Sequence, residues 1–302
     1  MKKFILLFLL LISGFSFGGN VVVVNPGSPG NGQDVLFRVI DAELAKRNIK
    51  TTIEYKPGAD GVIASDYFKK LPPGGDHLII VNTEGFFIFH EVFYKNTNKF
   101  VPLTLVGKSY YVLFGSKNVD LPTLLAKLNT ESQTVGVSGV NNQAVVRLFQ
   151  LRSGRPNIEL IKYKGPVQVI TETIGGTLNY GLTPISVVTP FVASGKIKMV
   201  GVSSKKRLPE LPDTPAISEF VPGFYSDLSW SLLLPENTPK SVVDYYESVF
   251  KEVLMKPDIQ KFYKENLIYL NKQEIGQEPL VRYINNTRTM WNPLVPHLVA
   301  DQ

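Results

Sequence analysis

Val21-Val22-Val23-Val24-Asn25-Pro26-Gly27-Ser28-Pro29-Gly30-Asn31-Gly32-Gln33-Asp34-Val35-Leu36 is the stretch that decides the fold. Four consecutive β-branched residues stopped by Asn-Pro-Gly read as a strand buried on both faces, as in a parallel sheet. A glycine-rich segment follows, and then Val35, Leu36, Val39, Ile40 and Leu44 recur at helical spacing. The order is strand, glycine loop, helix, and it recurs along the chain. Thr51–Tyr55 precedes Pro57-Gly58-Ala59-Asp60-Gly61 and a helix expected over roughly 62–70. Leu78–Val81 precedes Asn82-Thr83-Glu84-Gly85. Thr134–Val137 precedes the loop Ser138-Gly139-Val140-Asn141-Asn142 and a helix over roughly 143–153. Ile158–Tyr163 precedes Lys164-Gly165-Pro166 and a helix over roughly 167–174. Strands alternating with helices predict an α/β protein built from βαβ units. From Pro239 on the pattern is helical, with apolar positions at Val242, Val243, Tyr246, Val249, Phe250 and Val253.

Composition narrows the function classes. The 302 residues are 44% apolar and 11% aromatic, which excludes a disordered chain and predicts substantial cores. With no cysteine, disulfides, thiol nucleophiles, Cys-ligated metals and a lipid-modified N-terminal Cys are excluded. Three histidines, His77, His90 and His297, argue against a histidine-rich metal site. His90, among Phe86, Phe87, Phe89 and Phe93, reads as a satisfied, partly buried side chain. The net charge of +6 is dispersed; the densest basic run is Lys205-Lys206-Arg207. A nucleic-acid groove needs a basic stripe interleaved with aromatics, so no nucleic-acid partner is expected.

The first 18 residues have the order of a secretory signal peptide. Lys2 and Lys3 form the positive start, Phe4–Ile12 the apolar run, and Ser13–Gly19 the small-residue end. The apolar run is shorter than the roughly 20 residues a membrane span needs. Cleavage near Gly18 or Gly19 leaves 30 basic against 26 acidic side chains. The expected mature protein is exported and soluble, with a monomer as the default; the leader does not by itself distinguish a periplasm from another extracytoplasmic space.

The glycine loops carry the candidate chemistry. A loop between a parallel strand and a helix presents unpaired backbone N–H groups and the positive end of the helix dipole. Glycine lets a ligand approach that backbone, so two such loops facing each other would clamp phosphate or carboxylate. The loops around Gly30–Gly32 and Ser138–Asn142 are the two candidates. Neither is a dinucleotide fingerprint: Gly30-Asn31-Gly32 continues Gln33-Asp34-Val35. There is no P-loop, no G-x-S-x-G elbow and no HExxH. No cofactor, metal ligand set or catalytic residue is therefore expected. Asp34, in the first turn of the first helix, is read as shaping the loop by taking orphan N–H donors. Thr83, Phe86 and Phe87 follow a strand whose carboxyl end would border a cleft; Phe86 and Trp230 are read first as packing.

In this order the segments resemble the extracytoplasmic solute-binding proteins of tripartite tricarboxylate transporters, the Bug family. Pro26–Asp34 matches the family's Pro, glycine loop and Asp, and Lys56–Gly61 its Pro-Gly-Ala-Gly-Gly segment. Leu71-Pro72-Pro73-Gly74-Gly75, Tyr163-Lys164-Gly165, Ser194–Ser203, Leu211–Pro215 and Trp230–Pro239 match further stretches, nearly the length of the mature chain. The resemblance implies a type II periplasmic-binding-protein fold: two α/β lobes joined by two crossover strands, with a ligand cleft between. It places lobe 1 at 19–105 and 229–302, and lobe 2 at 106–228. It implies that Ser28, Gly30, Asn31, Gly32, Thr83, Ser138, Gly139, Asn141, Asn142, Tyr163, Gly165 and Thr183 hold a small organic anion, a carboxylate, for delivery to membrane permease subunits. Three departures bear on the ligand. Gly30-Asn31-Gly32-Gln33 stands where the family commonly has Gly-Gly-Gly-Thr, Asn141-Asn142 stands in the second loop, and Asn179 and Thr183 stand where Asp is frequent. Asn31, Asn141 and Asn142 either bond a polar ligand or adopt turn conformations that Asn tolerates well. Two other roles stand beside this one: presenting the liganded form to a membrane sensor kinase, which would use the same residues, and an exported α/β hydrolase or transferase, which would need a nucleophile and base within hydrogen-bond reach.

Overall fold

A computed structural model of the chain describes residues 20–95, 99–116 and 118–296. The expected leader over 1–18 and His297 lie outside the described residues. The valine run forms β1 (Asn20–Asn25), with Val23 and Val24 fully buried. It leads into α1 (Gly32–Ala45), β2 (Lys50–Tyr55), α2 (Val62–Phe68) and β3 (His77–Asn82). β1 pairs in parallel with both β2 and β3, so it is the strand at which the chain reverses its direction across the sheet. Past β3 a wide π-helical turn, Gly85–Phe89, runs into α3 (His90–Tyr94); such turns recur at functional sites.

The long β4 (Val101–Gly115) comes next, then α4 (Leu121–Lys127), β5 (Gln133–Ser138), α5 (Gly139–Ser153), β6 (Ile158–Tyr163), α6 (Pro166–Gly175), β7 (Tyr180–Pro184), α7 (Ile185–Ala193), β8 (Lys198–Val202) and β9 (Asp227–Leu234). β5 repeats the role of β1, in parallel pairing with β6 on one side and β7 on the other. β9 runs antiparallel between β3 and β4. β4 changes partner halfway. Val101–Tyr110 pair with β9, whereas Tyr111–Gly115 pair with β7, and β8 pairs with Val112–Gly115. A mixed sheet in the order β2-β1-β3-β9-β4-β7-β5-β6 results, with β8 joined to β4.

Three helices complete the chain: α8 (Lys240–Val253), α9 (Pro257–Glu265) and α10 (Gln277–Trp291). All six apolar positions expected on α8 are buried. Its Tyr246 hydroxyl donates to the Gly75 carbonyl at 2.6 Å. Gly75 sits at φ +91°, and a Cβ there would lie 2.8 Å from Val242, so both backbone and space ask for glycine.

One boundary differs from expectation. The segment 139–142 is the first turn of α5 rather than loop, so Asn141 and Asn142 are helical. Gly139, at φ +74°, makes the reversal out of β5 in a single residue. Left-handed backbone costs glycine little, and so the helix starts at once.

Candidate functional site

Four helix starts converge on one cavity of about 480 Å³, within the range of roughly 300–1,000 Å³ usual for small-molecule sites. The carboxyl ends of β1, β3, β5 and β7 open onto it, through Pro26, Asn82, Ser138 and Pro184. Both β1 and β5 are switch-point strands, the places where open α/β sheets form crevices. α1, α5, α6 and α7 begin at its wall, with Asn31-Gly32-Gln33, Gly139–Asn142, Pro166 and Ser186-Val187 among the lining. Tyr111, Leu228 and Trp230 contribute from β4 and β9.

The first loop is built around two side chains. Asn31 caps α1, with its Oδ1 accepting from the Asp34 N–H at 2.8 Å. Its Nδ2 faces Asn25 Oδ1 at 3.4 Å, and that oxygen also takes the Gly27 N–H at 2.9 Å. A Cβ at Gly27 would collide with the Asn31 amide at 1.4 Å. Asp34 is buried and its carboxylate accepts from the Gly30 N–H (2.7 Å), Tyr55 Oη (2.6 Å) and Arg38 Nε (3.1 Å). Burial alone would raise the Asp34 pKa. The Tyr55, Gly30 and Arg38 bonds outweigh it and hold the carboxyl below its usual range.

The second loop reaches across to the first half of the sheet. Asn141 Nδ2 donates to Asn82 Oδ1, which also accepts the Gly85 N–H at 2.7 Å. Asn82 Nδ2 donates to the Ser229 carbonyl and to Glu84 Oε2, each at 3.2 Å. These partners fix the orientation of Asn82, and therefore that of Asn141. Asn141 Oδ1, buried against Gly85, is left without a donor among the described residues. Asn142 is committed elsewhere, its amide donating to the Leu182 carbonyl at 3.1 Å.

Of the twelve anticipated site residues, Ser28, Asn31, Gly32, Ser138, Gly139, Asn141 and Asn142 line the cavity; the other five do not. The Gly30 N–H is used by Asp34. Thr83 is buried and shares a 2.7 Å hydrogen bond with Ser231 Oγ. Thr183 is buried inside β7, opposite Val112. Tyr163 packs on the core under α6 and α7, and Gly165 caps α6 one residue before the lining Pro166. The sequence reading missed Asn82, Tyr111, Ser186 and Asp60, and it gave Phe86, His90 and Trp230 packing roles although all three line the wall. His90 is buried with Nε2 2.9 Å from the Asp60 carbonyl, and its ring lies 4.9 Å from that of Phe86. Burial pushes its pKa down, against the Asp60 carbonyl bond and the Asp60 charge, which pull it up. Tyr111 is pushed well above the usual tyrosine value by burial and by the charges of Glu84 and Asp227.

Among the described lining residues Asp60 is the one carboxylate, and there is no Lys or Arg. An anion here meets helix N-termini and neutral donors rather than a counter-charge. No helix of the described residues is long and apolar enough to cross a membrane, and no three of their His, Asp or Glu side chains gather as a metal site.

Solved structures share this architecture. MatC from Rhodopseudomonas palustris with bound malate superimposes with a TM-score of 0.80 at 21% identity, covering 91% of this chain and 98% of that one. R. palustris Rpa4515 with adipate gives 0.81 at 21%, covering 92% and 97%, and the periplasmic binding protein BugD gives 0.79 at 22%, covering 92% and 97%. In sequence, a UPF0065 protein from the tcbD-tcbE intergenic region of Pseudomonas sp. (strain P51) is 26% identical over 257 residues, 80% of this chain and 76% of the relative. The family model described as tripartite tricarboxylate transporter family receptor matches residues 36–299, from the second turn of α1 onward. A match of that extent, on a two-switch-point sheet with helix N-termini around its crevice, places the chain in the tripartite tricarboxylate transporter receptor family.

Proposed function

We propose that the protein is an extracytoplasmic solute receptor that captures a small organic carboxylate in this cavity and passes it to membrane permease subunits. The observation that carries this reading is the convergence of four helix N-termini on a cavity with no Lys or Arg among its described lining residues. Backbone N–H groups at helix starts bind anions through fixed dipoles, without the desolvation of a buried Lys or Arg. Ser28, Asn31, Gly32, Ser138, Gly139 and Asn141 are the proposed ligand contacts. Malate and adipate in the structural neighbours support a carboxylate.

In this reading the lobes are 19–105 with 229–302, and 106–228, and β4 and β9 carry the chain between them. Cleft closure hides the anion from water and strengthens each bond to it. The leader expected over 1–18 and the periplasmic binding protein BugD among the structural neighbours support a periplasmic location.

The test is a thermal-shift screen of unfolded and refolded protein against mono-, di- and tricarboxylates. At 100 times its Kd a ligand stabilises by about 2.7 kcal/mol, a rise of several degrees in a chain of this size. A rise with one carboxylate class is expected. No rise with any carboxylate, from a sample shown to be folded, would overturn the proposal.

A further inference from the structure

We infer that Asp60 is a specificity-determining residue, and that the cavity takes a carboxylate that also carries an ammonium group, a zwitterion rather than a plain organic acid. The inference rests on the receptor reading above and names the ligand class for that same site.

Asp60 sits in Pro57-Gly58-Ala59-Asp60-Gly61, between β2 and α2. Its backbone is left-handed, at φ +49° and ψ +26°, with Ala59 beside it at φ +46°. Glycine takes that conformation freely and aspartate is among the few side chains that tolerate it, so the backbone admits an acid there without requiring one. The protein nonetheless holds one in place. His90 Nε2 is bonded to the Asp60 carbonyl, and the Tyr94 hydroxyl donates to Asp60 Oδ2 at 2.6 Å. The other oxygen, Oδ1, is aimed across the cleft, where it would lie 3.3 Å from a Cβ on Gly139, the first residue of α5.

Charge decides what can bind beside it. A plain carboxylate entering this wall meets a like charge and, among the described lining residues, no Lys or Arg to offset it. The repulsion grows as closure excludes water. An ammonium group on the same ligand removes the conflict: its carboxylate takes the helix starts, and its N–H donors take Asp60 Oδ1 in a charge-assisted bond. The wall is thus well provided with dipoles for an anion and also carries, in Asp60 Oδ1, an acceptor that a ligand donor can satisfy.

The experiment is calorimetric titration of refolded protein with pairs that differ only in the α-ammonium group: aspartate and succinate, glutamate and glutarate, phenylalanine and 3-phenylpropionate. The wild type is expected to bind the ammonium member of at least one pair about tenfold more tightly, which is about 1.4 kcal/mol. Asp60→Asn keeps the shape and removes the charge; it should bring that ratio near one, chiefly by weakening the ammonium member. Asp60→Gly, which relieves the left-handed backbone, should do the same in a protein at least as stable. Tighter binding of the plain acids by the wild type, or a ratio unmoved by both substitutions, overturns the role of Asp60 and leaves the receptor reading standing. Absence of binding by every compound, with no shift in the wider carboxylate screen, overturns both.

Discussion

Glu84 should make the protein less stable as the pH rises from mildly acidic to neutral. It lies just past β3 at 2% exposure. Its Oε1 accepts from Ser229 Oγ (2.8 Å) and Tyr283 Oη (2.6 Å), and its Oε2 from the Ser229 N–H and Asn82 Nδ2. Burial, reinforced by the neighbouring Asp227 carboxylate, outweighs these donors and pushes Glu84 up from 4.5 to about 7. Burial raises Asp227 as well, against its Tyr225 bond and the Lys108 charge. Below pH 4.5 Glu84 is neutral in both the folded and unfolded chain, and its contribution is fully present. Between 4.5 and 7 only the unfolded chain ionises, so unfolding releases a proton and stability falls with pH. At about 1.36 kcal/mol per unit, the loss is about 3 kcal/mol by pH 8. Glu84→Gln is neutral throughout and removes this term. The assay is urea unfolding at several pH values from 4.5 to 8, followed by the fluorescence of the buried Trp230 and Trp291. The quantity to plot is wild-type minus variant stability. His90 has the opposite sign, since its lowered pKa gives stability that is lost as pH falls through the folded value, and it cancels in that difference. A difference that stays flat or rises from pH 4.5 to 8 would refute the assignment of a raised Glu84.

Asp34→Ala strips a buried carboxylate from the Gly30 N–H, Tyr55 and Arg38, and should cost about 2–3 kcal/mol in urea unfolding; a loss under about 0.5 kcal/mol would mean the loop holds its shape unaided. The three asparagines should separate into different roles when each is replaced and both stability and ligand affinity are measured. Asn31→Ala removes the α1 cap and should cost about 1 kcal/mol of stability. Asn141→Ala breaks the bond to Asn82 across the cleft and should weaken ligand binding more than stability. Asn142→Ala should act mainly on stability through the lost Leu182 bond. Unchanged affinity in the Asn141 variant would remove it from the ligand contacts.

The middle of the sheet could be read from local pattern because its central strands are largely buried on both faces. A run such as Val21–Val24 has no polar face to reveal its neighbours, yet its length, its β-branching and the Asn-Pro-Gly that stops it mark a central parallel strand. α8 was legible for the complementary reason. One face meets the core, and the 3.6-residue period shows through at all six positions. The start of α5 was not legible. Ser-Gly-Val-Asn-Asn scans as a turn by composition, and only the left-handed φ of Gly139 turns it into the first turn of a helix.

The cavity wall divides along the same line. Residues on the two loops that open α1 and α5 were found because strand, loop and helix are contiguous in sequence. Asn82, Tyr111, Ser186 and Trp230 reach the wall through β3, β4, α7 and β9, whose adjacency is set by pairing across long sequence separations. No periodicity encodes that pairing. Asp60 is the instructive case, because its signal was on the page. An acid stood at the fourth position of a segment matched to Pro-Gly-Ala-Gly-Gly, a position whose left-handed backbone glycine favours and aspartate tolerates. The backbone therefore admits the acid without requiring it, and what distinguishes Asp60 is its placement: it is held by two neighbours and aimed at the opposite wall. A carboxylate that is the one charge among the described lining residues is the first place to look for what the site recognises.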